Sequence, residues 1–285
     1  MTMIEPIVHG ARLVGDILAS APEPGSASLW RLGQSGLVVR LPGATLAIDP
    51  YLSNHGEAVL GPPFDHRRLT RAPLDPAEID FLDAVLVSHD HLDHLDVPTI
   101  RTLARTNPGA RIVGPAACGK AFEDLGWRAE QVVVLGDGSR TEFDDWYVEG
   151  YAVPHEEFDE ADGSARYLGF VVGDARVRLA HLGDSLAHAR VARTLADKAV
   201  DLIALPINGR DEERRLMGFA GNMTAREAVR LAVEAGRPLA LPMHYDMFAQ
   251  NVEPDALATF EAAAAAAALP YRVAAAGERV DWGSR

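Results

Sequence analysis

Cysteine is nearly absent. A single one, Cys118, occurs among 285 residues, which excludes an internal disulfide framework and fits a reducing compartment. Lysine is almost as scarce: Lys120 and Lys198 stand against 25 arginines, so recognition of an anion falls mainly to guanidinium forks. Positive charge as a whole is in deficit, with 27 basic against 41 acidic side chains and a net charge of −14. That balance argues against bulk attraction to a phosphate backbone, and nucleic acid drops down the list of partners. No apolar run approaches the roughly 18 residues of a membrane helix, and the alanine run Ala262 to Ala268 is too short. Residues 1–20 have no cationic start and no continuous apolar stretch, being interrupted by Glu5, Pro6, His9, Arg12 and Asp16, so no secretion signal is read. These absences point to a soluble, cytoplasmic protein with no membrane partner.

What is present is ordinary globular composition, 48% hydrophobic and 24% charged, in a chain long enough for one large or two small domains. The stretch 21–28, APEPGSAS, has linker character and separates an expected N-terminal extension, 1–27, from a main domain, 28–285. Short strands punctuated by Gly33, Gly36 and Pro42-Gly43 predict an antiparallel meander up to Asp49. The polar stretch 53–71 reads as a long loop of the kind that covers active sites. Strands are predicted at 84–88, 111–114, 131–135, 146–153, 167–172, 176–182, 201–207, 239–243, 271–275 and 278–282. Helices are predicted near 97–106, 116–125, 186–197, 224–235 and 254–268, the fourth opened by a Thr224–Glu227 capping box. Each half runs strands first and then alternates, which fits an α/β fold with two sheets face to face and helices outside.

The most informative segment is Ser88-His-Asp-His-Leu-Asp-His-Leu-Asp96, directly after the buried-type strand 84–88. In a loop leaving a strand, His89 and His91 can turn toward one point, and Asp93 with His94 toward a second close by. Two ions roughly 3.5–4 Å apart, sharing a bridging water, need such a pair of ligand groups. His155, Asp184 and His244 each follow a predicted strand and can converge on the same sheet edge. Taken singly, each reads equally well as a loop residue or helix cap; together they complete a dinuclear set. Cys118 lies outside the motif and reads as a small buried apolar residue.

The order HxHxDH, then His155, then Gly183-Asp184-Ser185, then a late His244 resembles the metallo-β-lactamase superfamily, a four-layer αβ/βα sandwich of hydrolases. LDAVLVSHDHLDHLD (82–96), HLGDS (181–185), NMTAREAVRLA (222–232) and LPMHYDMFAQNVEPD (241–255) are closer still to the L-ascorbate-6-phosphate lactonases within it. The chain departs from those lactonases at Leu186, where they carry a histidine. The resemblance implies one metal ion on His89, His91 and His155 and another on Asp93, His94 and His244, with Asp184 bridging and Asp49 orienting ligands from behind. It implies two divalent ions per chain, zinc or manganese first and iron next, since nitrogen and oxygen donors without thiolate suit all three.

The expected activity is metal-dependent hydrolysis, with activated water between the ions attacking an ester-type bond and Asp93 as the catalytic proton carrier. A lactone is the expected substrate, including a sugar-phosphate lactone such as L-ascorbate 6-phosphate, hence a small and, in that case, anionic molecule. Its phosphate would need arginines, and Arg67, Arg68, Arg71, Arg210, Arg214 and Arg215 are the candidates, with Asn208 and Tyr245 as further pocket residues. Two rivals stay open: a phosphodiesterase or nuclease of the same superfamily, and a metal-dependent binding protein without turnover.

Overall fold

The computed structural model describes residues 3–155 and 164–284; the acidic stretch that follows His155 in the sequence lies outside them. In chain order the elements are helix α1 (Gly10–Ala19), β1 (Ser26–Gly33), β2 (Gly36–Leu41), β3 (Ala44–Ile48), α2 (His55–Val59), β4 (Ala84–Leu86) and α3 (Val97–Thr106). There follow β5 (Arg111–Pro115), α4 (Ala116–Asp124), β6 (Val132–Leu135), β7 (Arg140–Glu142), β8 (Tyr147–Ala152), β9 (Leu168–Gly173) and β10 (Arg178–His181). The chain closes with α5 (Ala189–Asp197), β11 (Leu202–Pro206), α6 (Glu212–Leu216), α7 (Ala225–Glu234), β12 (Leu239–Met243), α8 (Ala256–Ala266) and β13 (Arg279–Gly283).

The strands form two sheets, in the orders β13-β1-β2-β3-β4-β5-β6 and β12-β11-β10-β9-β8-β7. The period-2 alternation of side chains explains why the three large cores among the described residues are separate. On β2, Leu37, Val39 and Leu41 face the core shared by the sheets, together with Phe170, Leu202 and Leu241 from the other sheet. Val38 points the opposite way, into a core with Leu13, Ile17, Ile100, Leu103 and Phe122 of α1, α3 and α4. On β11, Leu202 and Ala204 face inward, whereas Ile203 and Leu205 pack against Val191, Leu195, Val229 and Phe260 of α5, α7 and α8. Helix, sheet, sheet, helix is therefore the layer order, the four-layer αβ/βα sandwich expected. Because β4 and β11 are covered on both faces, they are apolar throughout, as buried parallel strands are.

Thr224 and Glu227 do form the capping box that opens α7, and β1, β2 and β3 pair antiparallel as predicted. The terminal strand expected at 271–275 is reduced to one bridge, Ala240 to Tyr271. Helix α1 falls inside the expected extension, yet Leu13 and Ile17 are fully buried under the first sheet, and β1 already begins at Ser26. The i, i+4 pair Leu13/Ile17 supplied the apolar stripe. Among the described residues, no helix is long and apolar enough to cross a membrane.

Strands β3 to β6 run parallel, as do β10 to β12, so their carboxyl ends open on common edges where α/β folds gather ligands. Since Leu13 anchors α1 in the core, Leu13→Ala is expected to destabilise the whole protein by about 2–5 kcal/mol. Urea unfolding followed by circular dichroism should show that loss in one transition; an unchanged midpoint would mean that α1 is dispensable.

Candidate metal centre

Seven side chains from four loops gather where the edges of the two sheets meet. His89, His91, Asp93 and His94 follow β4, His155 follows β8, Asp184 follows β10 and His244 follows β12. One group comprises His89, His91, His155 and Asp184, another Asp93, His94 and His244, and within each group ligand atoms lie within 4.8 Å of one another. Asp184 faces both groups: Oδ1 lies 3.2 Å from His94 Nε2 and 3.3 Å from His244 Nε2, and Oδ2 lies 3.6 Å from His155 Nε2. Each group thus combines residues of the first sheet with residues of the second.

Asp49 is entirely buried beneath the cluster. It accepts the backbone N–H of Ser88 at 2.7 Å and the Ser88 hydroxyl at 2.6 Å, and its Oδ2 lies 2.7 Å from His94 Nδ1. A carboxylate only accepts, so His94 Nδ1 carries the proton and Nε2 is turned toward the cluster. Ser88 Oγ similarly lies 2.9 Å from His89 Nδ1. The backbone at Asp49 has φ 44° and at His244 φ 63°, each a left-handed conformation costing about 1–3 kcal/mol in a non-glycine residue. Gly183, at φ 55°, runs so close to Ser88 that a Cβ there would lie 2.8 Å from the serine's own Cβ.

Several contributors escaped the sequence reading. Gln34, in the turn joining β1 to β2, donates its amide to Asp93 Oδ2 at 2.6 Å and lies 3.0 Å from His244 Nε2, while its carbonyl accepts the His244 N–H. Buried Arg31 forms two 2.6 Å bonds to Asp246, and its guanidinium lies over Tyr245, so β1 grips both residues after His244. His181 contacts the Ser35 carbonyl through Nε2 at 2.8 Å and accepts the Gly183 N–H through Nδ1. His188 accepts the Arg190 N–H at the start of α5. Asp96, just past the motif, accepts N–H groups from Leu52 and Ser53 and so pins the start of the long loop. A glutamine in a Gly-flanked turn or an arginine in a strand carries no signal of these tertiary roles.

The substrate expectations fare differently. Arg68 is buried and bonds the carbonyls of Tyr51, Ser53 and Thr70; it braces the loop and is spent on backbone. Arg67 pairs with Asp65 and Arg71 with Glu5, and Arg210, Arg214 and Arg215 pair with Glu227, Asp211 and Glu212. Asn208 is fully buried, bonding Asn222 and Asn251, and Tyr245 packs on Arg31. Cys118 is buried as expected.

The donor set fits metal ions. Among the described residues, His89 Nε2, His94 Nε2, both ring nitrogens of His155, Asp184 Oδ1 and His244 Nδ1 are buried without a hydrogen-bond partner, a costly arrangement for polar atoms unless something binds them. Burial, reinforced by neighbouring imidazoles, holds His89 well below its ordinary pKa, and burial lowers His155 to about 4; both are the neutral rings that metals require. Burial alone would raise Asp184 and Asp93, but the charges of His94 and His244 prevail and keep both well below the usual carboxylate range. Burial likewise works against His94 and His244, yet the surrounding carboxylates lift His94 well above its usual value and His244 to about 9.

A family model described as the Beta-lactamase superfamily domain matches residues 45–245. Proteins of Salmonella heidelberg and Salmonella paratyphi B named probable L-ascorbate-6-phosphate lactonase UlaG are 24% identical over 274 residues, covering 84% of this chain and 75% of theirs. A metallo hydrolase of the archaeon Ignicoccus hospitalis shares the fold with TM-score 0.68 at 20% identity, covering 91% of this chain and all of that one. An isothiocyanate hydrolase from Delia radicum gut bacteria does so with TM-score 0.70 at 17% identity, covering 90% and 100%.

Two measurements test the centre. Asp49→Asn should weaken metal binding about 10–100-fold, read by competition with a chromophoric chelator; unchanged affinity would remove Asp49 from any orienting role. In metal-free protein, the raised His94 and His244 contribute stability that is complete below about pH 6.5 and is lost as pH rises through about 9. The lowered carboxylates contribute stability present above about pH 4 and lost in acid. The metal-free melting temperature should therefore fall between pH 7 and 9.5, and the metal-loaded protein should lack that fall. With its fold, its gathered ligand set and the span of the family match together, the chain belongs to the beta-lactamase superfamily of metal-dependent hydrolases.

Proposed function

We propose that the chain hydrolyses an ester-type carbonyl, a lactone in the first instance, at a centre of two divalent metal ions. The observation that carries this reading is Asp184, a buried carboxylate whose two oxygens face two separate histidine groups. His89, His91 and His155 would hold one ion, and Asp93, His94 and His244 the other, with Asp184 shared. Such ions supply a water nucleophile at neutral pH and offset the charge that builds on a carbonyl oxygen. Zinc or manganese suits these nitrogen and oxygen donors, as does iron.

The chain's own residues supply orientation and proton transfer. Asp49 fixes the His94 tautomer, and Ser88 does the same for His89. Asp93, held as a carboxylate by its histidine neighbours, accepts the proton of the attacking water and returns it to the departing alkoxide. The Gln34 amide, donating to Asp93 Oδ2, fixes which oxygen stays available for that exchange. Lactone hydrolysis is also the activity named for the UlaG relatives, and the six arginines, five paired with acids and Arg68 bonded to carbonyls, give no comparable support to their phosphate.

The test is metal analysis and reconstitution, followed by a panel of simple lactones, sugar-phosphate lactones, thioesters and a bis-aryl phosphate. Loaded protein should bind about two ions per chain and turn over a lactone. His91→Ala should lower kcat by about 10³-fold or more, and Asp93→Asn by about 10²–10⁴-fold, the usual reach of a positioned proton carrier. Preference for the phosphodiester over every ester would overturn the carbonyl reading, and fewer than one bound ion under all loading conditions would overturn the paired centre.

A further inference from the structure

Two chain segments meet above the metal-ligand cluster: the part of the long loop that follows α2, and the stretch that follows α6. Phe64 from the first and Phe219 from the second pack edge to face, with ring centroids 5.1 Å apart. His66 lies nearly parallel to Phe219, at 5.8 Å and 12°, and Phe248 closes on its other side at 4.8 Å. Gly218 has φ 92°, and a Cβ added there would lie 3.5 Å from the Phe64 ring. A cavity of about 260 Å³ is lined by Leu60, Phe64, His66 and Phe219 and also by Asp93 and Asp184.

Ion pairs offset most of the charge at this place, with Arg214 Nη2 buried and left without a hydrogen-bond partner. The adjoining cavity, about 540 Å³, is lined by Arg210, Arg214 and Arg215 but also by Asp211 and Glu212. Arg210 takes both Glu227 oxygens at 2.6 and 2.8 Å, Arg214 takes Asp211 at 2.6 Å, and Arg215 takes Glu212 at 2.6 and 2.7 Å. Asp90, which also lines the smaller cavity, pairs with Arg166 at 2.9 Å. A phosphate brought here would compete with these ion pairs for the guanidinium groups, and it would exchange water for aromatic surface. An aryl or alkyl group gains contact with the same rings.

We infer that the Phe64–His66–Phe219 wall receives an uncharged apolar substituent of the substrate, aryl or branched alkyl, beside the bond to be cleaved, and that a phosphorylated substrate is disfavoured. This specificity rests on the hydrolytic reading above.

Two unreactive γ-lactams, one bearing a phenyl group and one a phosphate ester at the same carbon, test recognition without turnover. Calorimetry on the metal-loaded protein should show the phenyl lactam binding at least tenfold tighter. Phe219→Ala should cut that preference to under threefold and Phe219→Leu should retain most of it, with melting temperatures reporting that both variants fold. Equal or tighter binding of the phosphate lactam, or a preference that survives in both Phe219→Ala and Phe64→Ala, would overturn the inference. The matching lactones separate it from the broader reading. Turnover of neither, with the lactam preference intact, would remove hydrolysis and leave apolar recognition standing. Faster turnover of the phosphorylated lactone would keep hydrolysis and remove the apolar specificity.

Discussion

Carboxylates withdrawn from water are expensive unless something offsets their charge, and this fold buries Asp49 and Asp184 within one cluster. Much of the surrounding architecture answers that cost. Ser88 satisfies Asp49 through both its backbone and its hydroxyl, His94 lies between Asp49 and Asp184, and Gly183 has no side chain because Ser88 occupies the space. The left-handed backbones at Asp49 and His244 are held in place by their N–H groups, which donate to the Leu86 and Gln34 carbonyls. A divalent ion in each histidine group would complete the electrostatic account.

The elements most legible in the sequence were those whose signal is local. The buried run before His89, the capping box at Thr224 and the meander of the first three strands depend on neighbours within a few residues, and all stand in the structure. His89, His91, Asp93 and His94 were conspicuous because four potential ligands fall within six positions. His155, Asp184 and His244 were legible only through their shared place at strand ends. Gln34, Arg31, His66 and His181 were not legible, since each acts across a contact between segments far apart in the chain. Helix α1 was hidden by Gly10 and Gly15, which weaken a helical pattern, and β7 by its sequence Arg-Thr-Glu, which has no apolar member.

The arginines show how little of a charged group's role is local. Their number and the shortage of lysine invited a phosphate site, but a charge read from sequence has no partner attached to it. In the fold Arg68 is consumed by three carbonyls, Arg31 by Asp246, and the arginines near the cavities by acids two to seventeen residues away. An excess of acid over base, 41 to 27, makes such internal neutralisation the default. The aromatic contacts of Phe64, Phe219 and Phe248, by contrast, join three separate stretches of chain and have no counterpart in local patterning.

Each half of the metal-ligand cluster takes side chains from both sheets, so the apolar layer between those sheets also sets the distance between opposing ligands. That layer is close-packed from Leu37, Val39 and Leu86 on one side to Phe170, Leu179 and Leu202 on the other, and close-packed interiors transmit changes of volume instead of absorbing them. The inner residues thus act as a spacer whose thickness is registered at the sheet edge, and a methylene gained or lost many residues away alters the gap between ligands contributed by opposite sheets. Bound ions, in turn, would pin the two sheets to each other, making the chemistry of the edge part of the cohesion of the whole molecule.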